Sequence, residues 1–293
     1  MHHTHEKATA IAAPAAQARN HPADCAGAVT QAVSAGVLLN WHSSAEGPWA
    51  EVLLQHEGKL NAMSVAMWQQ LRAVFLSIQD SQARCVLIKG TGGAFCAGGD
   101  ISEYQSFRFK EESLQHFHET LVWGGLQAML DCDVPIIAQI EGACMGAGVE
   151  IACCCDIRLA SDNALFGAPI AKLGFPMAPR ELQLVQRTAG DALVRRMLLG
   201  AEVIGSGAMV ASGFLAEIAA QAQLEALVMK RLERLLPLAP QAARMHKQAL
   251  RVLLQDGSAG LAALLPSAYR YAESAEHREG ISAFLEKRKP QFK

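Results

Sequence analysis

The chain has 293 residues, 51% hydrophobic, 6% aromatic and 18% charged, with Lys+Arg 26 against Asp+Glu 28. That length buries a sizeable core, as one large domain or a main domain with an appendage. A formal net charge of -2 supplies no basic field for nucleic acid, the few aromatics offer little stacking surface for single strands, and no apolar run approaches the roughly 20 residues of a membrane helix.

Residues 1–34 are rich in Ala, Gln, His and Pro without an amphipathic period, and read as a mobile N-terminal extension. The opening MHHTHEK has neither a basic n-region nor an apolar h-region, so no secretory signal is visible and the expected compartment is the cytoplasm. His2, His3 and His5 could take up metal adventitiously, but nothing nearby completes a site, and no metal is expected.

Short strands are predicted at 37–39 and 51–54. Ser64 then caps a helix whose Trp68, Leu71, Phe75 and Ile78 recur at helical spacing. A buried strand at 85–88 leads into a glycine-rich stretch at 90–93, followed by a helix over 114–130 and a strand at 136–138. A second glycine-rich turn, 142–148, opens a helix carrying Glu150. Strand, turn and helix thus alternate, which is an α/β signature. From Asp191 the pattern is helical, with Pro240 in a first turn and Gly257 at a break. Leu224, Leu227, Val228, Leu232 and Leu235 form an apolar face that packs on the main domain or on another subunit. The expected division is a core over 35–235 and a helical region over 236–293.

Eight cysteines occur, at 25, 85, 96, 132, 144 and 153–155. None has paired zinc-ligand spacing, so they read as small core residues of a reducing compartment.

The glycine-rich turns test nucleotide folds first. A dinucleotide fingerprint begun at Gly90 meets Phe95 where its third glycine belongs, and no P-loop Gly-Lys-Ser/Thr is present. What Ala97-Gly98-Gly99-Asp100 and Gly146-Ala147-Gly148 share is a run of small residues that leaves amide N–H groups uncovered. Two such amides aimed at one carbonyl oxygen make an oxyanion hole; tight packing at turns is the plainer use of the same glycines.

Phe95-Cys96-Ala97-Gly98-Gly99-Asp100-Ile101 resembles the F-[SC]-A-G-x-D-[IL] motif of the crotonase (enoyl-CoA hydratase/isomerase) superfamily. Residues 135–142, then Gly146-Ala147-Gly148-Val149-Glu150 through Asp156, resemble its second signature. Asn61-Ala62-Met63 and the ending with Glu279-Gly280, Ala283-Phe284, Glu286-Lys287-Arg288, Pro290 and Phe292 match two further elements. The resemblance spans about residues 36–293. It implies an α/β crotonase-like spiral of ββα units with a C-terminal helical trimerisation region, a homotrimer or hexamer, and an acyl-CoA thioester as substrate, so that CoA is no separate cofactor. It places the oxyanion hole at the Ala97 and Ala147 amides and proton transfer at Glu150. It makes Lys59, Ala62, Gly98, Gly99, Asp100 and Ile101 substrate-binding positions, with Phe284 and Lys287 able to reach a neighbouring subunit's CoA.

One position departs from the family pattern. Hydratases carry a second glutamate after the proline of F-G-x-P, whereas here Phe166-Gly167-Ala168-Pro169 is followed by Ile170. Three readings follow. Glu150 alone moves a proton and isomerises the acyl chain; Glu181 or Arg180, from the next helix, restores a polar partner; or the enzyme decarboxylates or cleaves its substrate. A non-catalytic acyl-CoA-binding member is a further alternative. Glu181 is the second catalytic candidate, although a first-turn glutamate also suits the helix dipole. His116 and His118, two apart, do not share a helical face and are expected on the surface or in a lid.

Overall fold

The structure, a computed structural model, describes residues 34–292. The N-terminal extension except Ser34, the three early histidines and Cys25 lie outside the described residues.

β1 (Ala35–Ser44) and β2 (Gly47–His56) form an antiparallel hairpin. Along β2, Ala50, Val52 and Leu54 alternate into the core, the period of a strand with one buried face. Ser64 then accepts from the Met67 amide and starts α1 (Val65–Gln79), as its sequence predicts. β3 (Val86–Gly90) pairs parallel with β2.

The segment beyond β3 runs through a 3₁₀ turn (Ile101–Ser106) into α2 (Glu111–His116). A π-helical stretch (Phe117–Val122) joins α2 to α3 (Trp123–Asp131). β4 (Ile136–Ile140) is buried throughout, as expected of a parallel strand covered on both faces. Next come β5 (Ala143–Met145), α4 (Ala147–Cys153), β6 (Ile157–Ser161) and β7 (Leu165–Gly167).

The remaining elements are α5 (Pro179–Ala189), α6 (Asp191–Leu198), β8 (Val203–Gly205), α7 (Ser206–Ala211) and β9 (Glu217–Ala219). They are followed by α8 (Gln221–Leu235), α9 (Pro240–Leu264) and α10 (Ala275–Leu285). Pro240 begins α9, and the helix breaks at Gly257, whose φ is 51°; both match the sequence reading.

The main sheet runs β1-β2-β3-β4-β6-β9, with a second sheet β5-β7-β8 beside it. Alternate residues of its strands feed two apolar layers. Val86, Ile88, Ile136 and Ala138 meet Leu71, Phe75 and Leu126 on one face. Cys85, Leu87, Ile137 and Leu159 meet Leu224, Val228 and Leu232 on the other, one turn apart along α8. Seven cysteines are buried free thiols, as expected of core residues. Burial pushes those of Cys85, Cys96, Cys153 and Cys155 up to about 12, which leaves them unreactive near neutrality.

Candidate active site

The segment 95–100 runs between two neighbours, which it meets through isolated bridges at Cys96 and Gly99. On one side Cys96 N donates to Ala143 O at 2.9 Å and Met145 N to Cys96 O at 2.8 Å. On the other, Ala97 N donates to Leu60 O at 2.9 Å, Met63 N to Gly98 O at 2.8 Å and Asp100 N to Met63 O at 2.9 Å. Asn61 braces this arrangement from its left-handed conformation (φ 60°). Its buried amide donates to Thr91 O and Ala94 O, both at 2.8 Å, and accepts from His56 N at 3.0 Å.

These bonds decide which amides face the cavity. The Ala97 N–H, expected in the oxyanion hole, is engaged by Leu60 and corrects that assignment. In a trans peptide C=O and N–H point opposite ways. With Gly98 O turned to Met63, the Gly99 N–H points away from that strand, and it has no partner among the described residues. Gly99 lines the cavity, so the unengaged amide of this segment lies two residues beyond the one the resemblance indicated.

Ala147 was the second amide that the resemblance indicated. It is the first residue of α4, where amides lack intrahelical partners, and it lines the same cavity. Gly146 caps the helix at φ 46° and ψ -109°, a conformation that costs an L side chain strain. A Cβ on Gly148 would stand 2.5 Å from Cys96 O, so only glycine lets α4 approach the 95–100 segment this closely.

The cavity encloses about 330 Å³. Glu150 enters it from the first turn of α4 and Glu181 from the first turn of α5; both are buried. Ile170, at the position of the family's second glutamate, forms apolar wall. Burial raises the Glu150 carboxyl well above the usual range, and the Glu181 charge adds to this. Burial likewise pushes Glu181 up to about 8, with the Glu119 charge adding and Arg108 opposing.

His118 also lies in the cavity, contrary to the surface or lid position expected of it. The π-helical stretch tucks Phe117 and Val122 into the core and sets His118 Nδ1 2.8 Å from Glu181 Oε1. Burial holds the His118 pKa below its ordinary value while that of Glu181 rises. Burial thus works against charge on both partners of this hydrogen bond. His116 is exposed, as expected.

Sequence signals for both residues were present. Glu181 falls in register with buried Leu184, Val185 and Ala189, a carboxylate on the apolar stripe of a helix. His118 lies four residues from Leu114 and from Val122, which pairs it with apolar positions rather than with His116.

The other expected residues divide. Gly98, Gly99 and Ile101 line the cavity; Ala62 and Asp100 do not. The Asp100 carboxylate instead caps the 3₁₀ turn, accepting from Ser102 N at 3.1 Å and from Lys59 Nζ at 2.7 Å. Lys59 stays partly exposed and also donates to Ser102 Oγ at 2.8 Å. Phe284 and Lys287 are exposed near the end of the chain, outside this cavity. Arg180 lies outside it too, paired with Glu119 at 3.0 Å. Tyr104, Arg108 and Phe175, not singled out in the sequence, contribute a polar and aromatic wall.

Mixed α/β layers thus bring unengaged amides and two buried carboxyls onto one cavity. The family model described as enoyl-CoA hydratase/isomerase matches residues 45–293. A probable enoyl-CoA hydratase of Bacillus subtilis is 32% identical, over 87% of this chain and 99% of its own. The 2,3-dehydroadipyl-CoA hydratase of Escherichia coli is 33% identical, over 80% and 90%. A solved enoyl-CoA hydratase/carnithine racemase from Magnetospirillum magneticum superposes with TM-score 0.82 at 31% identity, covering 88% of this chain and 95% of its own. The chain belongs to the enoyl-CoA hydratase/isomerase family.

Proposed function

We propose that the protein adds water across the double bond of a 2-enoyl-CoA thioester. The observation that carries this reading is the pair of buried carboxyls, Glu150 and Glu181, on one cavity with the unengaged Gly99 and Ala147 amides. Two-carboxyl hydration needs one ionised and one protonated group. Burial and mutual repulsion make this pair retain a proton near neutrality, and the two titrate as a unit. In this reading Glu181, whose charge Arg108 favours, is the ionised member and takes a proton from the water whose oxygen adds to the β-carbon. Charge moves to the thioester oxygen, where the Gly99 and Ala147 N–H groups stabilise it. Glu150 then delivers its proton to the α-carbon, and the product carries one more water than the substrate. CoA enters as part of the substrate. The names of the relatives above point the same way.

The site would thus recover the missing second carboxyl from α5 instead of from the position of Ile170. Incubation with 2-hexenoyl-CoA followed by mass spectrometry is expected to show the gain of one water. Loss of carbon dioxide, fragmentation, or an unchanged mass with a moved double bond would each overturn hydration. Glu150→Gln keeps the side chain's shape and removes its proton; turnover is expected to fall by about 100-fold or more.

We further read the C-terminal helices as a subunit-contact surface of a homotrimer or hexamer. Support comes from exposed Leu250, Leu254, Leu265 and Tyr269 on and just after α9, and Phe284 and Leu285 at the end of α10.

A further inference from the structure

The guanidinium of Arg108 lines the cavity yet makes no ion pair and no side-chain hydrogen bond among the described residues. It lies instead over the Phe175 ring, 3.5 Å from the centroid, and 4.4 Å from that of Tyr104. Two aromatic faces hold the planar cation in place while leaving its N–H edge free of protein acceptors. A partly buried arginine loses hydration that the rings replace only in part, and a fork of free donors is shaped for a carboxylate.

The nearby acids do not supply that carboxylate. Neither Glu150 nor Glu181 forms an ion pair with Arg108, and both tend to hold their protons. The other cation on the cavity wall, Lys172, is exposed. Arg108 is thus a cation on the cavity wall with no counter-ion in contact among the described residues, although a purely hydrocarbon acyl chain would require no such charge.

The geometry points to a substrate whose acyl chain ends in a second carboxylate, bound bidentately by Arg108. This rests on the acyl-CoA reading above, since that reading fixes where the thioester lies. Arg108 biases the ionisation of Glu181 and His118. The Tyr104 hydroxyl lies against Gly99: a Cβ there would meet it at 2.4 Å. Arg108 thus stands one tyrosine side chain from the Gly99 amide and within electrostatic reach of Glu181. An acyl chain with its oxygen on the amides and its reacting carbons at the pair directs its remaining atoms toward this guanidinium.

Calorimetric titration of the wild-type protein with two saturated thioesters, adipoyl-CoA and hexanoyl-CoA, tests the inference. Adipoyl-CoA is expected to bind at least 10-fold more tightly, and Arg108→Gln to bring the ratio close to one. A wild-type ratio of one or below would overturn the proposal, and so would an Arg108→Gln variant that weakens both thioesters equally, since Arg108 would then serve the CoA they share. Should that variant not fold, the wild-type ratio alone decides. Neither ligand can be hydrated, so the outcome does not depend on turnover; failure of the hydratase reading would show separately, with 2-hexenoyl-CoA.

Discussion

Glu181 links the chemistry of the site to the stability of the fold. Its carboxyl, at about 8 in the folded chain, has an unfolded value of 4.5. Between those values the folded state binds more protons than the unfolded chain, so stability falls as pH rises through this window. Glu181→Gln removes the titration. The variant is expected to exceed the wild type in stability by about 1–3 kcal/mol at pH 8 and by little at pH 5, measured by denaturant unfolding at both. Under the proposed hydration its turnover should fall, because the position then has no base. Glu150 was legible in the sequence because its motif marks it directly. The Ala97 assignment failed because a motif shows which residues are small but not which amides the neighbouring strand engages.

Among elements, β1 to β4 and most helices were legible, because short apolar runs bounded by turns and period-3.6 apolar faces follow from a sheet covered on both faces, whereas β5 to β9 were not read as strands. The π-helical stretch was not. A helix that admits one extra residue per turn has no periodic signature of its own, so His118 was read against the wrong neighbours. Gly148 shows the converse case, where a residue type reports a distance. Gly148→Ala places a methyl 2.5 Å from a backbone oxygen, and neither partner is a flexible side-chain end. The substitution is expected to destabilise the protein by about 1–3 kcal/mol and to lower turnover, as α4 and the Ala147 amide shift together. Thermal unfolding and steady-state kinetics on one preparation check both effects.

At the scale of the whole molecule, α8 closes the second face of the sheet, whereas α9 and α10 carry apolar side chains exposed in the single chain. Leu254 is 70% exposed and Phe284 81%, more than a solitary protein usually presents in one region. Light scattering of the purified protein is expected to give a trimer or hexamer. Leu254→Glu should shift the distribution toward smaller species by placing a charge in the contact. The composition of the chain indicated a large core, but not which apolar residues would remain outside it; helical periodicity looks the same whether a face meets its own sheet or another copy.

The carriage of the second carboxyl by α5 has a mechanical consequence. A side chain on a loop can be adjusted without disturbing the interior, but Glu181 shares one helical face with Leu184 and Val185. Under the proposed hydration, the packing of that interior thereby becomes part of the acid–base apparatus. Val185→Ala, which touches no substrate, is expected to cost about 1–3 kcal/mol of stability and to displace the pH–rate profile as well. Variation in the core of this protein would then tune its reaction.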